Sequence, residues 1–341
     1  MPLPVPSRDG SIDLLRPFVN LTESDFRLLI AWMTAALRPV GPYPILVLNS
    51  QQGSSKTTLA RILRLLIDPQ SCPLLSEPAS TRDLVATAVN GWLLAYDNLS
   101  AIPTWLSDGL CRLVYGVGFA GRALFSNDER SIIHAQRPVI LTGIDEIVRR
   151  GDLRDRCVFL HPPMILPGRR RTEDEFWSSF HAVYPRILGG VLDAIVGGLR
   201  ALPSVRLSEL PRMADYAKWG EAVHRGIGLG AESFASTYNE NRKDATRTEL
   251  EDSPLGTVML DVVKSGASVT ITASDLHAKL SQAVGRKIVK SRRWPKTVSS
   301  FSSELRRMAP QLLTHGLSLE FSRNSDRRTI TLRPVESPGN Q

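Results

Sequence analysis

Pro44-Ile45-Leu46-Val47-Leu48-Asn49-Ser50-Gln51-Gln52-Gly53-Ser54-Ser55-Lys56-Thr57-Thr58-Leu59-Ala60-Arg61 decides how this chain is read. An apolar run of strand length enters a turn of small residues that ends in Lys-Thr and opens a helix. That is the layout of a phosphate-binding loop. In such a turn the backbone N–H groups point at a β-phosphate and the helix N-terminus adds partial positive charge. Lys56 would reach the β/γ oxygens, and the Thr57 hydroxyl would hold Mg²⁺. The expected cofactors are ATP and Mg²⁺, and the expected contact set is Ser50, Gln51, Gln52, Gly53, Ser54, Ser55, Lys56, Thr57 and Thr58. Ser50 and Ser55 occupy the two outer glycine positions of G-x-x-x-x-G-K-[ST], and only Gly53 is left inside the loop. Glycine suits those positions because the backbone takes positive φ and approaches phosphate closely, which serine tolerates less well. The competing reading is a surface strand-turn-helix that happens to carry Lys-Thr.

Downstream, Gly91-Trp92-Leu93-Leu94-Ala95-Tyr96-Asp97-Asn98 is a second apolar run ending in an acid, as in parallel strands buried on both faces. An acid at the end of a strand beside the loop can accept from metal-bound water, so Asp97 is assigned to Mg²⁺ together with Thr57. The plain alternative is a strand-end turn acid. Many ATPases of this kind carry Glu next, to polarise the attacking water. Here Asn98 stands there and cannot accept a proton, so binding is better supported than hydrolysis. A third run, Arg137-Pro138-Val139-Ile140-Leu141-Thr142-Gly143-Ile144, places Thr142 where it would face a γ-phosphate. Arg150-Gly151-Asp152-Leu153-Arg154-Asp155-Arg156 then precedes a fourth apolar run. Arginine's planar fork suits phosphate, and Arg154 or Arg156 delivered from a neighbouring subunit would stabilise charge on a transferring phosphoryl group. The bland alternative pairs both with Asp152 and Asp155 at the surface.

The order Gly-Ser-Ser-Lys-Thr-Thr, Leu-Ala-Tyr-Asp-Asn-Leu-Ser, Arg-Pro-Val-Ile-Leu-Thr-Gly-Ile and Asp-Leu-Arg-Asp-Arg resembles AAA+-type ATPases of phages and bacterial mobile elements. These are similar to primase-associated helicases. The resemblance covers roughly residues 12 to 225, and its most specific element is Asp97-Asn98-Leu99-Ser100 followed by Trp105-Leu106-Ser107-Asp108. It implies a P-loop NTPase core with a helical lid, a ring-shaped homo-oligomer, DNA as partner, and association with a primase or polymerase. It also places the metal acid on Asp97, the sensor on Thr142 and the arginine finger on Arg154 or Arg156. The loop serines and the missing Glu depart from the wider pattern.

Between the second and third runs, residues 116–125 and 131–134 read as two short strands around a polar turn. In ring ATPases a hairpin there can touch the nucleic-acid backbone, which makes Arg122 and Arg130 candidate phosphate contacts. A plain surface hairpin explains the pattern as well.

The chain has 341 residues, 42% of them apolar and 22% charged, enough for a sizeable core and two domains. The apolar stretch Ile187 to Leu199 carries Asp193 and four glycines and is too short to cross a bilayer. Residues 1–6 are a proline-rich arm rather than a basic-then-apolar leader, so the expectation is a cytoplasmic protein without membrane contact. Cys72, Cys111 and Cys157 are widely spaced and fit no metal-ligand pattern, so buried reduced thiols are expected.

The expected organisation is an arm and helix (1–40), a core (41–170), a helical lid (171–238), a polar linker (239–253) and a C-terminal domain (254–335). In the lid, Arg212 is a candidate for reaching nucleotide, although a solvated arginine is the plainer reading. From Arg286 to Arg333 there are twelve Lys and Arg against Glu304, Glu320 and Asp326, while the rest of the chain is nearly neutral. A basic field confined to one small domain is an electrostatic footprint for nucleic acid.

In that domain, Pro254–Gly266, Ala273–Val284 and Val298–Gly316 carry helical apolar spacing, the last with Phe301, Leu305, Met308 and Leu312 on one stripe. Two strands follow. This resembles a winged helix whose third helix enters the major groove; the alternatives are a solvated charged face and a winged helix that binds protein. Ser299, Ser300, Ser302, Ser303, Arg306 and Arg307 would contact DNA from that helix. Arg323, Arg327 and Arg328 on the wing would meet backbone, and Arg292, Arg293 and Lys296 precede the helix. The expected function is a DNA-stimulated ATPase that remodels or unwinds DNA. The alternative is a nucleotide-gated DNA-binding module with little hydrolysis.

Overall fold

A computed structural model describes residues 1–122, 130–144, 146–230, 233–266, 268–291, 293–323 and 328–335. The chain divides into two units, Met1–Arg242 and Lys243–Gln341.

The first unit contains strands β1 (Ile45–Asn49), β2 (Leu94–Leu99), β3 (Phe119–Arg122), β4 (Arg130–Ile133), β5 (Val139–Gly143) and β6 (Cys157–Leu160). Its helices are α1 (Glu23–Ala36), α2 (Lys56–Ile67), α3 (Thr81–Asn90), α4 (Thr104–Tyr115), the single turn α5 (Gly151–Arg154), α6 (Glu173–Ala201) and α7 (Ala214–Ile227). Four strands form one parallel sheet in the order β2-β5-β1-β6. Ile45 to Leu48 and Val139 to Leu141 are fully buried, as expected of central parallel strands covered on both faces. Because every strand runs the same way, the carboxyl ends of β1, β2 and β5 open on one edge, where α/β sheets place their ligands.

The sequence does not say which strands are neighbours in the sheet. β5 pairs with both β1 and β2 and separates them. Chain order does not reveal a strand that returns to insert between two earlier ones. β3 and β4 form the expected antiparallel hairpin, with Arg122 opposite Arg130. Its turn, and both arginine side chains, lie outside the described residues.

The edge strand β6 is closed by a side chain. Asn241 accepts from the Phe159 N–H at 3.1 Å and donates to the Phe159 carbonyl at 2.6 Å, which pairs the backbone groups an edge would leave open.

α1 is buried nearly all round rather than along one stripe. Its Trp32 indole donates to the Pro44 carbonyl just before β1, and Trp219 of α7 donates to Thr34. The segment expected as a lid therefore shares its core with α1. α6 is one continuous helix of 29 residues, long and apolar enough by composition to cross a membrane. It nonetheless buries Phe180, Ile187, Leu188, Val191 and Ala194 within this unit. Its glycines permit close packing: a β-carbon on Gly189 would strike the Ser7 carbonyl, and one on Gly197 would stand 2.8 Å from the Gly226 carbonyl of α7. The N-terminal arm is thus seated on α6, with the Ser7 N–H donating to the Pro185 carbonyl.

α8 (Phe234–Asp252) runs across the division between the units. Residues 239–253, expected as a linker, are therefore helical through Asp252. Their polarity reflects an exposed helix face, and Ala245 and Leu250 are buried among them.

The second unit continues with α9 (Pro254–Ser265), β7 (Val269–Thr272), α10 (Ala273–Lys290), α11 (Val298–Thr314), β8 (Leu317–Arg323) and β9 (Arg328–Pro334). The three strands form an antiparallel sheet in the order β7-β9-β8. Gly285, at φ 78°, interrupts α10 just past the expected end at Val284. α11 begins in a reciprocal cap between Thr297 and Ser300. Phe301, Leu305, Met308 and Leu312 face a core shared with Leu255, Met259, Trp294 and Ile330. β7 was not anticipated, although Val269-Thr270-Ile271-Thr272 is a β-branched run.

Of the three thiols, Cys157 is buried, Cys111 half-buried and Cys72 exposed. The expectation of three buried cysteines holds for one. Burial pushes the Cys157 thiol well above its ordinary range.

Candidate functional site

The turn after β1 leads directly into α2, whose first residue is Lys56. Gly53 and Ser55 both have left-handed backbone, at φ 82° and 63°. Among the described residues only two non-glycines have positive φ, Ser55 and Asn98, and both line this site. Such strain costs of order 1–2 kcal/mol for an L-residue and persists where surrounding structure imposes it. Ser55 therefore adopts the conformation for which glycine is the usual choice at that position.

Lys56 folds over the loop. Its ammonium donates to the Ser50 carbonyl, to the Gln51 carbonyl at 2.7 Å and to Ser54 Oγ at 3.2 Å. Burial lowers its pKa, with the Asp97 charge acting in the opposite sense. Ser54 is itself buried and donates to the Gln51 carbonyl, closing the turn.

Asp97, at the end of β2, is reached from two sides. Thr57 Oγ1 lies 3.2 and 3.4 Å from its two carboxylate oxygens. Thr142, buried on the intervening β5, donates to Asp97 Oδ1 and accepts the Asn98 N–H at 2.9 Å. Thus Lys56, Thr57, Asp97, Asn98 and Thr142 come together, and with Gln52, Gly53, Ser54, Ser55, Gly143 and Ile144 they line a cleft of about 320 Å³. Ser50, Gln51 and Thr58 belong to the loop and first helical turn without lining it. Asp97 is the only carboxylate among the described residues of that lining.

The donor set suits a hydrated, phosphate-bound Mg²⁺, which takes one hydroxyl and one carboxylate and keeps its other positions for water and phosphate. Among the described residues no group of three His, Cys, Asp or Glu forms a self-contained metal cage.

The arginines divide differently from expectation. Arg154 is buried: it is ion-paired with Glu146, donates to the Val148 carbonyl at 2.6 Å and sits over Phe159. Arg156 is half-buried, donates to the Asp152 carbonyl and stacks over Tyr115. Asp152 and Asp155 meet Arg150 and Arg212. Arg212 is thereby held at the surface by Asp155, 3.5 Å away.

In the second unit, Arg307 and Arg328 are exposed. Arg306 stacks over Phe321 at 4.3 Å, and Lys296 donates to the Val289 carbonyl. Ser300 is engaged in the helix cap, leaving Ser299 and Ser303 exposed and Ser302 half-buried. Arg293 is exposed. Arg292, Arg327 and the Arg323 side chain lie outside the described residues.

Sequence reasoning missed the segment from His161 to Arg171, which crosses the loop. The Ser50 hydroxyl donates to the Pro162 carbonyl, and the Ile165 N–H donates to the Gly53 carbonyl at 3.2 Å. The run Gly168-Arg169-Arg170-Arg171 was the available signal.

The chain is similar in structure to the apo C-terminal region of NrS-1 in its A form, with 13% identity over 97% of this chain and 77% of that one, and a TM-score of 0.48. A second apo structure of the same region has 12% identity, the same coverages and a TM-score of 0.47. JCV helicase is similar at 13% identity over 69% of this chain and 63% of that one, with a TM-score of 0.30. No curated protein matches the sequence. Residues 255–340 match the model of the RepA C-terminal domain of actinomycete integrative conjugative elements. Residues 12–244 match the model of the replication protein itself. The chain belongs to the family of actinomycete integrative conjugative element replication proteins.

Proposed function

We propose that the first unit is a P-loop NTPase core of AAA+ type that binds MgATP in the cleft between β1, β5 and β2. The second unit is then a winged helix that engages DNA during replication of the mobile element. The observation that carries this reading is the convergence of Lys56, Thr57, Asp97 and Thr142 around a loop with left-handed backbone at Gly53 and Ser55. The loop amides and Lys56 would take the phosphates. Thr57 and Asp97 would hold Mg²⁺, which when bound supplies positive charge beside the β- and γ-oxygens. Thr142 fixes the Asp97 rotamer. Asn98 can orient a water through its amide, as a glutamine does in other phosphohydrolases, but cannot take its proton. The basic field and the exposed Arg307 and Arg328 support DNA as partner. Ring assembly, association with a primase or polymerase, and a cytoplasmic setting belong to the same reading.

Asn98 favours a second reading, a nucleotide-gated DNA-binding module that hardly hydrolyses ATP. Phosphate release measured alone, with single-stranded DNA and with duplex separates the two. DNA-stimulated release supports the ATPase. Release at background, with ATP shifting DNA affinity, supports the gated module. No binding of ATP overturns both.

A further inference from the structure

We propose that Arg170 contacts the phosphate chain of the bound nucleotide from within the same chain; the inference rests on the nucleotide-binding reading above. After β6 the chain does not leave the site but is fastened along the loop. His161 Nδ1 lies 3.0 Å from the Asn49 carbonyl, Ser50 donates to Pro162, and Ile165 donates to Gly53. Pro162, Pro163 and Pro167 restrict the strap's backbone. Its far end is fixed by a helical turn at Pro167–Arg169 and by the Thr172 capping box that starts α6. Arg170 lies between these two fixed points.

Its guanidinium stands over the middle of the loop: a β-carbon built on Gly53 would lie 3.7 Å from Arg170 Nη2. Among the described residues the Arg170 side chain makes no hydrogen bond or ion pair, although Glu173, Asp174 and Glu175 follow within five positions. Glu173 is already held by Arg61 and by the Trp177 indole. An exposed, planar, permanently charged fork beside Gly53 of the loop and spared from neighbouring carboxylates suits the β/γ-phosphates of a nucleoside triphosphate. An arginine acting in cis would supply charge to the transferring phosphoryl group, while Arg154 is occupied with Glu146.

The test is titration of the full-length protein with MgATP and MgADP, comparing wild type with Arg170→Ala, Arg170→Lys, Arg169→Ala and Lys56→Ala, with a melting temperature for each. The expected result is MgATP binding weakened roughly tenfold or more by Arg170→Ala, with a smaller effect on MgADP. Arg170→Lys should recover part of the loss, Arg169→Ala should have little effect, and melting should be unchanged in all three. If Lys56→Ala loses MgATP but Arg170→Ala binds as wild type, this inference alone is overturned. An equal loss in Arg169→Ala also overturns it, by showing a general field rather than a contact. If wild type binds no nucleotide, both readings fall together.

Discussion

The Thr142 hydroxyl donates to Asp97 Oδ1 while accepting the Asn98 amide, so one buried side chain on β5 fixes the end of β2 on which the site depends. Valine has the same shape without the hydroxyl. In Thr142→Val the Asn98 N–H loses its partner, and stability should fall by about 0.5–1.5 kcal/mol, the usual net contribution of a hydrogen bond. Dependence of nucleotide binding on Mg²⁺ should weaken as Asp97 is freed, and Thr142→Ser should restore both. Denaturant melts and titrations with and without Mg²⁺ check this; an unchanged midpoint in the valine variant would contradict the positioning role.

Arg154→Ala should act on folding rather than on a neighbouring subunit. It removes the ion pair to the half-buried Glu146 and empties the buried space that Arg154 fills, a change of about 1–3 kcal/mol, so soluble yield and melting temperature should both drop. Mixing Arg154→Ala with Lys56→Ala should restore no ATP turnover. Recovery in that mixture would show that Arg154 does reach across a subunit boundary.

Ser55→Gly should raise stability by about 1 kcal/mol, because glycine enters the left-handed region without the steric cost serine bears. MgATP binding should be kept. A lower melting temperature in Ser55→Gly would mean that the serine hydroxyl, which donates to the Ser54 carbonyl, matters more than the backbone.

Much of the first unit was legible because its strands are continuous apolar runs and its loop ends in Lys-Thr. Thr57, Asp97 and Thr142 were each identified from their place at a strand or helix end. What could not be read was order within the sheet, since Thr142 reaches Asp97 only because β5 inserts between β1 and β2. Arg154 and Arg156 looked alike in sequence, two positions apart. Burial separates them, through an ion pair with Glu146 that only the turn at α5 creates. α8 runs on through Asp252, past the expected helical limit near Arg247, a limit misplaced because a helix with few apolar positions has the composition of a loop. The strap over the loop was missed because it is fastened through backbone carbonyls, and the run Gly168-Arg169-Arg170-Arg171 was its only mark in the sequence.

In the second unit, Arg307→Glu and Arg328→Glu should each weaken DNA binding. Each should also flatten the dependence of log affinity on log salt by roughly 0.9 for every phosphate that is no longer neutralised. Arg306→Ala should instead cost about 0.5–1 kcal/mol of stability, because its guanidinium no longer stacks on Phe321. Fluorescence anisotropy over a salt series reads the slopes. Unchanged slopes in both glutamate variants would move DNA binding away from this surface.

The most direct test of the nucleotide site is calorimetric titration of MgATP into wild type and into Lys56→Ala, with circular dichroism confirming that both are folded. The account predicts saturable binding by wild type and loss of most of it in the variant, since the lysine neutralises phosphate charge and belongs to no core. Equal affinity in the two proteins would contradict it, because the turn between β1 and α2 would then not be where nucleotide binds.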